Sequence, residues 1–171
     1  TVLMDGLSGY KADYLVWIAV GEIRLQQADQ GPYVTKKSGM VIITPNKQHV
    51  DEEAYHQEHL ELAATALENA FKIDPTSVEA TDMLASTKLQ LGDFDGAIAL
   101  YEQLNVLAPD SSEVMTELAL ALILAGRDEE GIDIANQGLS LDPGSSEAHI
   151  LLAEFYKEKG DDEKAALADR L

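Results

Sequence analysis

The sequence predicts an all-α array of helix–turn–helix repeats behind a short N-terminal segment with a candidate helix and a candidate strand. Three observations carry that prediction. Pro75, Pro109 and Pro143 lie 34 residues apart, and Gly92, Gly126 and Gly160 keep the same step. Leu84, Leu118 and Leu152 repeat it, each followed by an alanine (Ala85, Ala119, Ala153), and so do Glu79, Glu113 and Glu147. Between these marks the apolar residues recur at helical spacing. A fixed period of this length means one supersecondary unit per repeat, each burying its apolar face only against its neighbours.

Residues 1–50 form the N-terminal segment. They hold five basic and four acidic residues, a net of +1, whereas residues 51–171 hold seven basic and 27 acidic, a net of −20. The change of character places a boundary near Pro45 to Asp51. Tyr14 to Val20 is rich in aromatic and β-branched residues and reads as strand or helix. Met40 to Thr44 is the candidate strand. A helix over 51–73 follows, closing with Leu67, Ala70 and Ile73 ahead of Asp74-Pro75.

The array then runs as repeats 78–111, 112–145 and 146–171, the last cut short. In each, a first helix (about Ser77 to Leu91) carries Leu84, Ala85 and Leu89 on one side. Thr76 and Glu79 have the spacing of a capping box, and Asp110 and Glu113 repeat it. Gly144 stands at that place before Glu147, so the third start is expected to be weaker. Gly92, Gly126 and Gly160 end the first helices, where a left-handed residue is wanted. The second helix (about Asp93 to Leu107) carries Phe94, Ala97, Ile98, Tyr101 and Leu104, and Pro109 blocks its continuation. Small residues at Ala97, Gly131 and Ala165, and at Ala85, Ala119 and Ala153, predict close approach of paired helices. Gly131 and Gly138 each cost about 1 kcal/mol against alanine inside a helix, which marks packing tolerance and a soft spot.

Composition excludes several classes. The chain has 171 residues, 46% of them apolar, with 31 Asp+Glu against 12 Lys+Arg, a net charge of −19. That sign opposes nucleic-acid binding, which needs cations to displace counterions from phosphates. It equally opposes docking on anionic lipid. Cysteine is absent, so disulfides, thiolate metal sites and cysteine nucleophiles are excluded. The longest apolar runs, Leu118 to Ala125 and Tyr14 to Val20, are eight and seven residues, too short to insert in a membrane. The first residue is Thr1 and not Met, which fits a chain trimmed of upstream sequence. No Gly-x-Gly-x-x-Gly, phosphate loop or Gly-x-Ser-x-Gly elbow occurs. The expectation is therefore no enzyme, no catalytic residue and no cofactor.

The unit resembles a tetratricopeptide repeat. Leu84-Ala85, Gly92-Asp93-Phe94, Ala97, Tyr101 and Pro109 match that family's pattern. Leu118-Ala119, Gly126, Gly131 and Pro143 match with gaps, and Leu152-Ala153, Tyr156, Gly160 and Ala165 match to the end of the sequence. Thr81, Met115 and His149 stand where the family has Trp. The resemblance covers about residues 55–171 and implies a right-handed superhelical solenoid of helix A/helix B pairs. Upstream, Trp17-x2-Val20-Gly21-x2-Arg24 resembles the helix A signature. One reading is a repeat interrupted by about Ala28 to His56; the other is an unrelated segment packed on the array. The final helix B stops at Leu171 with no polar capping helix after it, so the expectation is that either the native protein continues or this end pairs with another chain, by self-association through uncapped array ends.

In this family helix A lines a concave face, so the resemblance assigns a partner-binding groove. Its residues are Glu79, Asp82, Ser86, Leu89 and Gln90, then Glu113, Thr116, Leu120, Ile123 and Leu124, then Glu147, Ile150, Glu154, Lys157 and Glu158. Leu89 and Ile123 also fit a place in the core between helices. Acidic residues stand where some relatives clamp a C-terminal carboxylate with Lys, Arg and Asn, so a basic or amphipathic partner segment is implied instead. The function implied is a protein–protein interaction scaffold or assembly factor, with bacterial-looking repeats. The alternative is a regulatory or oligomerisation module of a larger enzyme or envelope complex. The remaining reading is a metal site on the stripe His49, Glu52, His56 and His59, although His56-Gln57-Glu58-His59 is neither form of the metalloprotease motif. No metal is expected, and no residue names the partner or the compartment.

Overall fold

The computed structural model describes residues 2–30, 34–37, 40–43 and 52–168. They form α1 (Val2–Gln30), a hairpin of β1 (Val34–Lys37) and β2 (Met40–Ile43), then α2 (Glu52–Ile73), α3 (Val78–Gln90) and α4 (Phe94–Leu107). After these come α5 (Ser112–Leu124), α6 (Asp128–Leu141), α7 (Ser146–Glu158) and α8 (Asp162–Ala168). The chain divides into two compact units, Thr1–Leu91 and Gly92–Leu171.

In the first unit α1 packs on α2, and α2 on α3. Tyr14 to Val20 lies inside α1, which corrects the strand reading of that run. The reason is periodicity: Ile18, Gly21 and Ala28 are buried at helical spacing, and that face outweighs β-propensity. Opposite them, α2 offers Leu60, Ala63, Ala66, Leu67 and Ala70, each at most 1% exposed. Gly21 belongs at the closest approach, since a β-carbon there would fall 2.7 Å from Leu67 Cδ2. Tyr14 reaches from α1 to the start of α3, its hydroxyl 2.6 Å from Ser77 Oγ. Strand β2 covers the expected Met40 to Thr44 as far as Ile43, and β1 pairs with it antiparallel, Val34 opposite Ile43 and Lys37 opposite Met40. Thr44 and the Pro45 to Asp51 boundary lie outside the described residues.

The second unit holds α4 to α8 in sequence, α4 on α5, α5 on α6, α7 on both α5 and α6, and α8 on α7. Ala119, Ala135 and Leu152 make one buried cluster across α5, α6 and α7. Gly131 brings α6 against α5, where a β-carbon would sit 2.9 Å from the Ala119 carbonyl oxygen. Lys159 ties the end of α7 to the start of α6 through Asp128, Nζ to Oδ2 2.5 Å.

Connections repeat as the period does. Gly92, Gly126 and Gly160 have φ of 77°, 79° and 77°, the left-handed conformation glycine adopts without steric cost. After α5, Gly126 N–H donates to Ile123 O and Arg127 N–H to Leu122 O, and Gly160 and Asp161 repeat this after α7. That is the Schellman ending. On the proline side, Ser77, Ser111 and Ser145 N–H groups each donate to the residue three before, Asp74, Ala108 and Asp142.

The caps differ from expectation by one residue. Ser77, Ser111 and Ser145 are the N-caps of α3, α5 and α7, their Oγ atoms accepting from Ala80, Val114 and Ala148 N–H. Thr76 instead turns its hydroxyl to Asp74 Oδ1 at 2.7 Å. Proline fixes the turn one residue earlier than a box at Thr76 needs, and Gly144 has no capping role to weaken.

Candidate functional site

Helix α5 positions the clearest site. Its stripe Glu113, Glu117, Leu120, Leu124 rises at three- and four-residue steps, so the four share one face. Glu113 is exposed, Leu120 half-buried and Leu124 48% exposed. Around the first turns of α5 lies a hollow of about 340 Å³ lined by Ser112, Glu113, Thr116, Glu117, Asp142, Ser145 and Glu147. Two cap serine neighbourhoods and the turn at Pro143 converge there because the repeat places each turn beside the preceding one.

Four carboxylates therefore line one hollow, while the Thr116 and Ser145 hydroxyls are engaged with backbone. Thr116 Oγ1 donates to Ser112 O at 2.8 Å and is 6% exposed. Ser145 Oγ accepts from Ala148 N–H. Glu117 Oε2 accepts from the buried Tyr101 hydroxyl at 3.4 Å. Asp142 Oδ1 accepts from Gly144 N–H at 3.0 Å. The arrangement presents negative charge beside an apolar run, with Thr116 as wall and not as a ligand.

The structure brings together Glu113, Thr116 and Glu147 from the expected groove residues. It separates Ile150 and Glu154, which with Ala153, Lys157, Ala165 and Ala166 line a second hollow of about 250 Å³ between α7 and α8. Glu79, Asp82 and Ser86 share a face of α3 in the other unit; the first two are exposed, and Ser86 Oγ donates to Met83 O at 3.2 Å. Leu89 and Ile123 are half-buried, while Gln90 and Glu158 are exposed. Sequence reasoning missed Glu117 and Asp142. Glu117 follows Glu113 by one helical turn, which was the available signal.

The histidine stripe is only partly described, since His49 lies outside the described residues. His59 is buried against Tyr55, ring centroids 4.2 Å apart, and its Nδ1 has no hydrogen-bond partner. Among the described residues no three His, Asp or Glu side chains converge to hold a metal ion. Among them also, no helix is long and apolar enough to cross a membrane.

The tetratricopeptide repeat family model matches residues 83–146, which hold every lining residue of this hollow except Glu147. Residues 83–146 carry tetratricopeptide repeats. Among curated proteins, the Caenorhabditis elegans BBSome complex member bbs-4 is 34% identical over 76 residues, 44% of this chain and 16% of that protein. The TPR repeat-containing thioredoxin TTL4 of Arabidopsis thaliana is 32% identical over 74 residues, 43% of this chain and 11% of that protein. The matches thus span a small part of either relative's length. Among solved structures, MamA (41 to end) of Desulfovibrio magneticus RS-1 superposes with a TM-score of 0.60 at 22% identity, over 65% of this chain and 63% of that one. A second MamA structure, MSR-1 C2, covers 93% of this chain and 90% of its own, with a TM-score of 0.57 and 19% identity. TTC0263, a thermophilic TPR protein of Thermus thermophilus, gives 0.58 at 22% identity over 68% of this chain and 66% of its own. At these identities the likeness is one of fold. Tetratricopeptide arrays are protein–protein interaction scaffolds, typically without catalysis of their own, and protein is the partner class this fold serves.

Proposed function

We propose that this tetratricopeptide protein is a scaffold or assembly factor whose helix A faces hold a basic or amphipathic segment of a partner protein. The supporting observation is the hollow beside α5. Glu113, Glu117, Asp142 and Glu147 surround it, and Leu120 and Leu124 continue the same face. A single exposed ion pair contributes only about 0–1 kcal/mol. Several carboxylates around one hollow act on the same cation, and they select sign and orientation more than they add affinity. The partner's Lys or Arg would sit at the acidic end and its apolar side chains on Leu120 and Leu124, the helix-in-groove mode. In the same unit Glu154 on α7 extends the preference; in the other unit, the α3 face carries Glu79 and Asp82, of the same sign.

A labelled peptide of alternating Lys and Leu turns, titrated beside its Glu-for-Lys counterpart, tests the reading. The basic peptide is expected to bind, with affinity falling as salt rises. Equal binding of the acidic peptide, or indifference to salt, counts against it.

We also propose that α1 and α2 are helix A and helix B of one repeat, interrupted by residues 31–51. The Trp17-x2-Val20-Gly21 signature lies on α1, and Gly21 is buried against Leu67 of α2. Replacing 31–51 by a short turn should leave a folded protein of similar helix content by circular dichroism. Loss of cooperative melting would count against the interrupted repeat.

A further inference from the structure

The turn before α3 and the turn before α7 repeat one another two periods apart. Asp74 Oδ1 accepts from Thr76 N–H and Asp142 Oδ1 from Gly144 N–H, both at 3.0 Å. Ser77 Oγ then caps α3 and Ser145 Oγ caps α7, and Glu79 and Glu147 each follow the cap by two residues. The neighbour of this frame differs between the two units. In the first it is Tyr14 of α1, half-buried, its hydroxyl 2.6 Å from Ser77 Oγ. In the second it is the start of α5, and there the hollow of about 340 Å³ opens.

The register gives the reason. Tyr14 stands three residues before Trp17, as Ser112 stands three before Met115, the Trp position of its own repeat. Tyr14 and Ser112 are thus equivalent on helix A, and the residues one turn later, Ile18 and Thr116, are both buried, 5% and 6% exposed. One repeat carries a phenol where the other carries a hydroxymethyl group, and the smaller side chain leaves the space. Leu15 and Ala19 of α1 correspond in the same way to Glu113 and Glu117 of α5. The open hollow therefore has two carboxylates in place of the apolar neighbours of Tyr14.

We propose that the α5 hollow takes a tyrosine side chain of the partner segment, one with Lys or Arg beside it in sequence. The ring lies over Ser112, and the phenol bonds Ser145 Oγ as Tyr14 bonds Ser77 Oγ. The neighbouring cation meets Glu113 and Glu147. Ser77 Oγ holds its cap bond from Ala80 N–H and the phenol together, because a hydroxyl has one donor and two acceptor sites. The cap bond from Ala148 N–H leaves Ser145 Oγ the same capacity. The ring supplies buried area, its hydroxyl supplies direction, and the carboxylates demand positive charge alongside. This deepens the basic-segment reading of the α5 hollow and rests on it, together with the helix A register of α1.

Fluorescence anisotropy on the 171-residue chain tests this. The probes are the labelled Lys/Leu peptide and the same peptide with one Leu replaced by Tyr, by Phe or by phosphotyrosine. The Tyr peptide is expected to bind roughly tenfold more tightly than its Leu parent, with Phe between them. Phosphotyrosine is expected to bind more weakly than the parent, since its added negative charge meets the carboxylates. Ser112→Tyr supplies the ring from within, as Tyr14 does, and should abolish the preference for Tyr; Ser112→Ala should keep it. A Tyr peptide no tighter than Leu or Phe overturns the proposal and leaves the basic-segment reading standing. Phosphotyrosine as tight as Tyr also overturns it, as does an undiminished Tyr preference in a Ser112→Tyr chain that melts like wild type. Failure of every basic peptide to bind sinks the basic-segment reading and the tyrosine with it. The wild-type peptide series decides the matter without any variant.

Discussion

A β-carbon on Gly131 would lie 2.9 Å from the carbonyl oxygen of Ala119 and 2.7 Å from Ile123 Cγ1. The carbonyl belongs to the backbone of α5 and cannot turn aside. Helix propensity alone favours Gly131→Ala by about 1 kcal/mol. Overpacking against a fixed neighbour costs about 1–3 kcal/mol. We expect the clash to win, leaving Gly131→Ala less stable than wild type by about 1 kcal/mol in urea unfolding. Gly138 is the control, because its added carbon would meet Met115 Cβ and Ser112 O at 3.3 Å, contacts that small shifts relieve. Gly138→Ala is therefore expected to be the more stable of the two variants.

The caps give a second prediction. Ser111 Oγ accepts from Val114 N–H at 3.2 Å, while the adjacent Asp110 is exposed and makes no cap of α5. Removing an N-cap oxygen costs about 1 kcal/mol. Ser111→Ala should lower stability by about that amount, and Asp110→Ala by clearly less, in paired chemical denaturation curves. Equal losses would restore the capping box at Asp110.

The same residues show what the sequence made legible. Proline, glycine and leucine columns announced the repeat, because each marks a backbone or core requirement that recurs with the fold. Ser77, Ser111 and Ser145 form an equally regular column. It was overshadowed by Glu79, Glu113 and Glu147, whose distance from Thr76 and Asp110 imitates a capping box. Strand β1 was invisible because Val34-Thr35-Lys36-Lys37 has no apolar alternation, and only its pairing with β2 defines it. Within the site, Glu113 and Glu147 followed from the repeat position. Asp142 did not, because it comes from the turn before α7 and meets Glu113 only through the stacking of one repeat on the next.

Acid should remove one surface contribution in a defined direction. Arg127 holds Glu130 in a two-pronged ion pair, Nη2 to Oε2 2.6 Å and Nε to Oε1 3.1 Å. The hydrogen bond from Arg127 lowers the Glu130 carboxyl from its ordinary value, and the same bond raises the guanidinium. A depressed carboxyl contributes stability above its unfolded value and loses it as pH falls through the folded one. Arginine stays charged throughout, so only the carboxyl titrates in the working range. The melting-temperature difference between wild type and Glu130→Gln should be constant near neutrality. It should begin to shrink as pH falls below the ordinary carboxylate range, about pH 4, and vanish only below the depressed folded value. A difference unchanged at low pH would remove the ion pair as its source.

The α5 face makes the sharpest functional prediction. Glu113 and Leu120 lie two turns apart on one side of the helix, one exposed and one half-buried, so they probe charge and apolar contact separately. Glu113→Lys places a cation among Glu117, Asp142 and Glu147 and should weaken a basic peptide roughly tenfold, the equivalent of about 1.4 kcal/mol. The loss should shrink as salt screens the remaining charges. Leu120→Glu adds charge of the favourable sign but removes the apolar floor. If peptide recognition were electrostatic alone, that variant would bind more tightly. We expect it to bind more weakly at every salt concentration, because burying apolar area supplies the affinity and the carboxylates supply the selection. Fluorescence anisotropy of one labelled Lys/Leu peptide against the three proteins, at low and high salt, separates these outcomes.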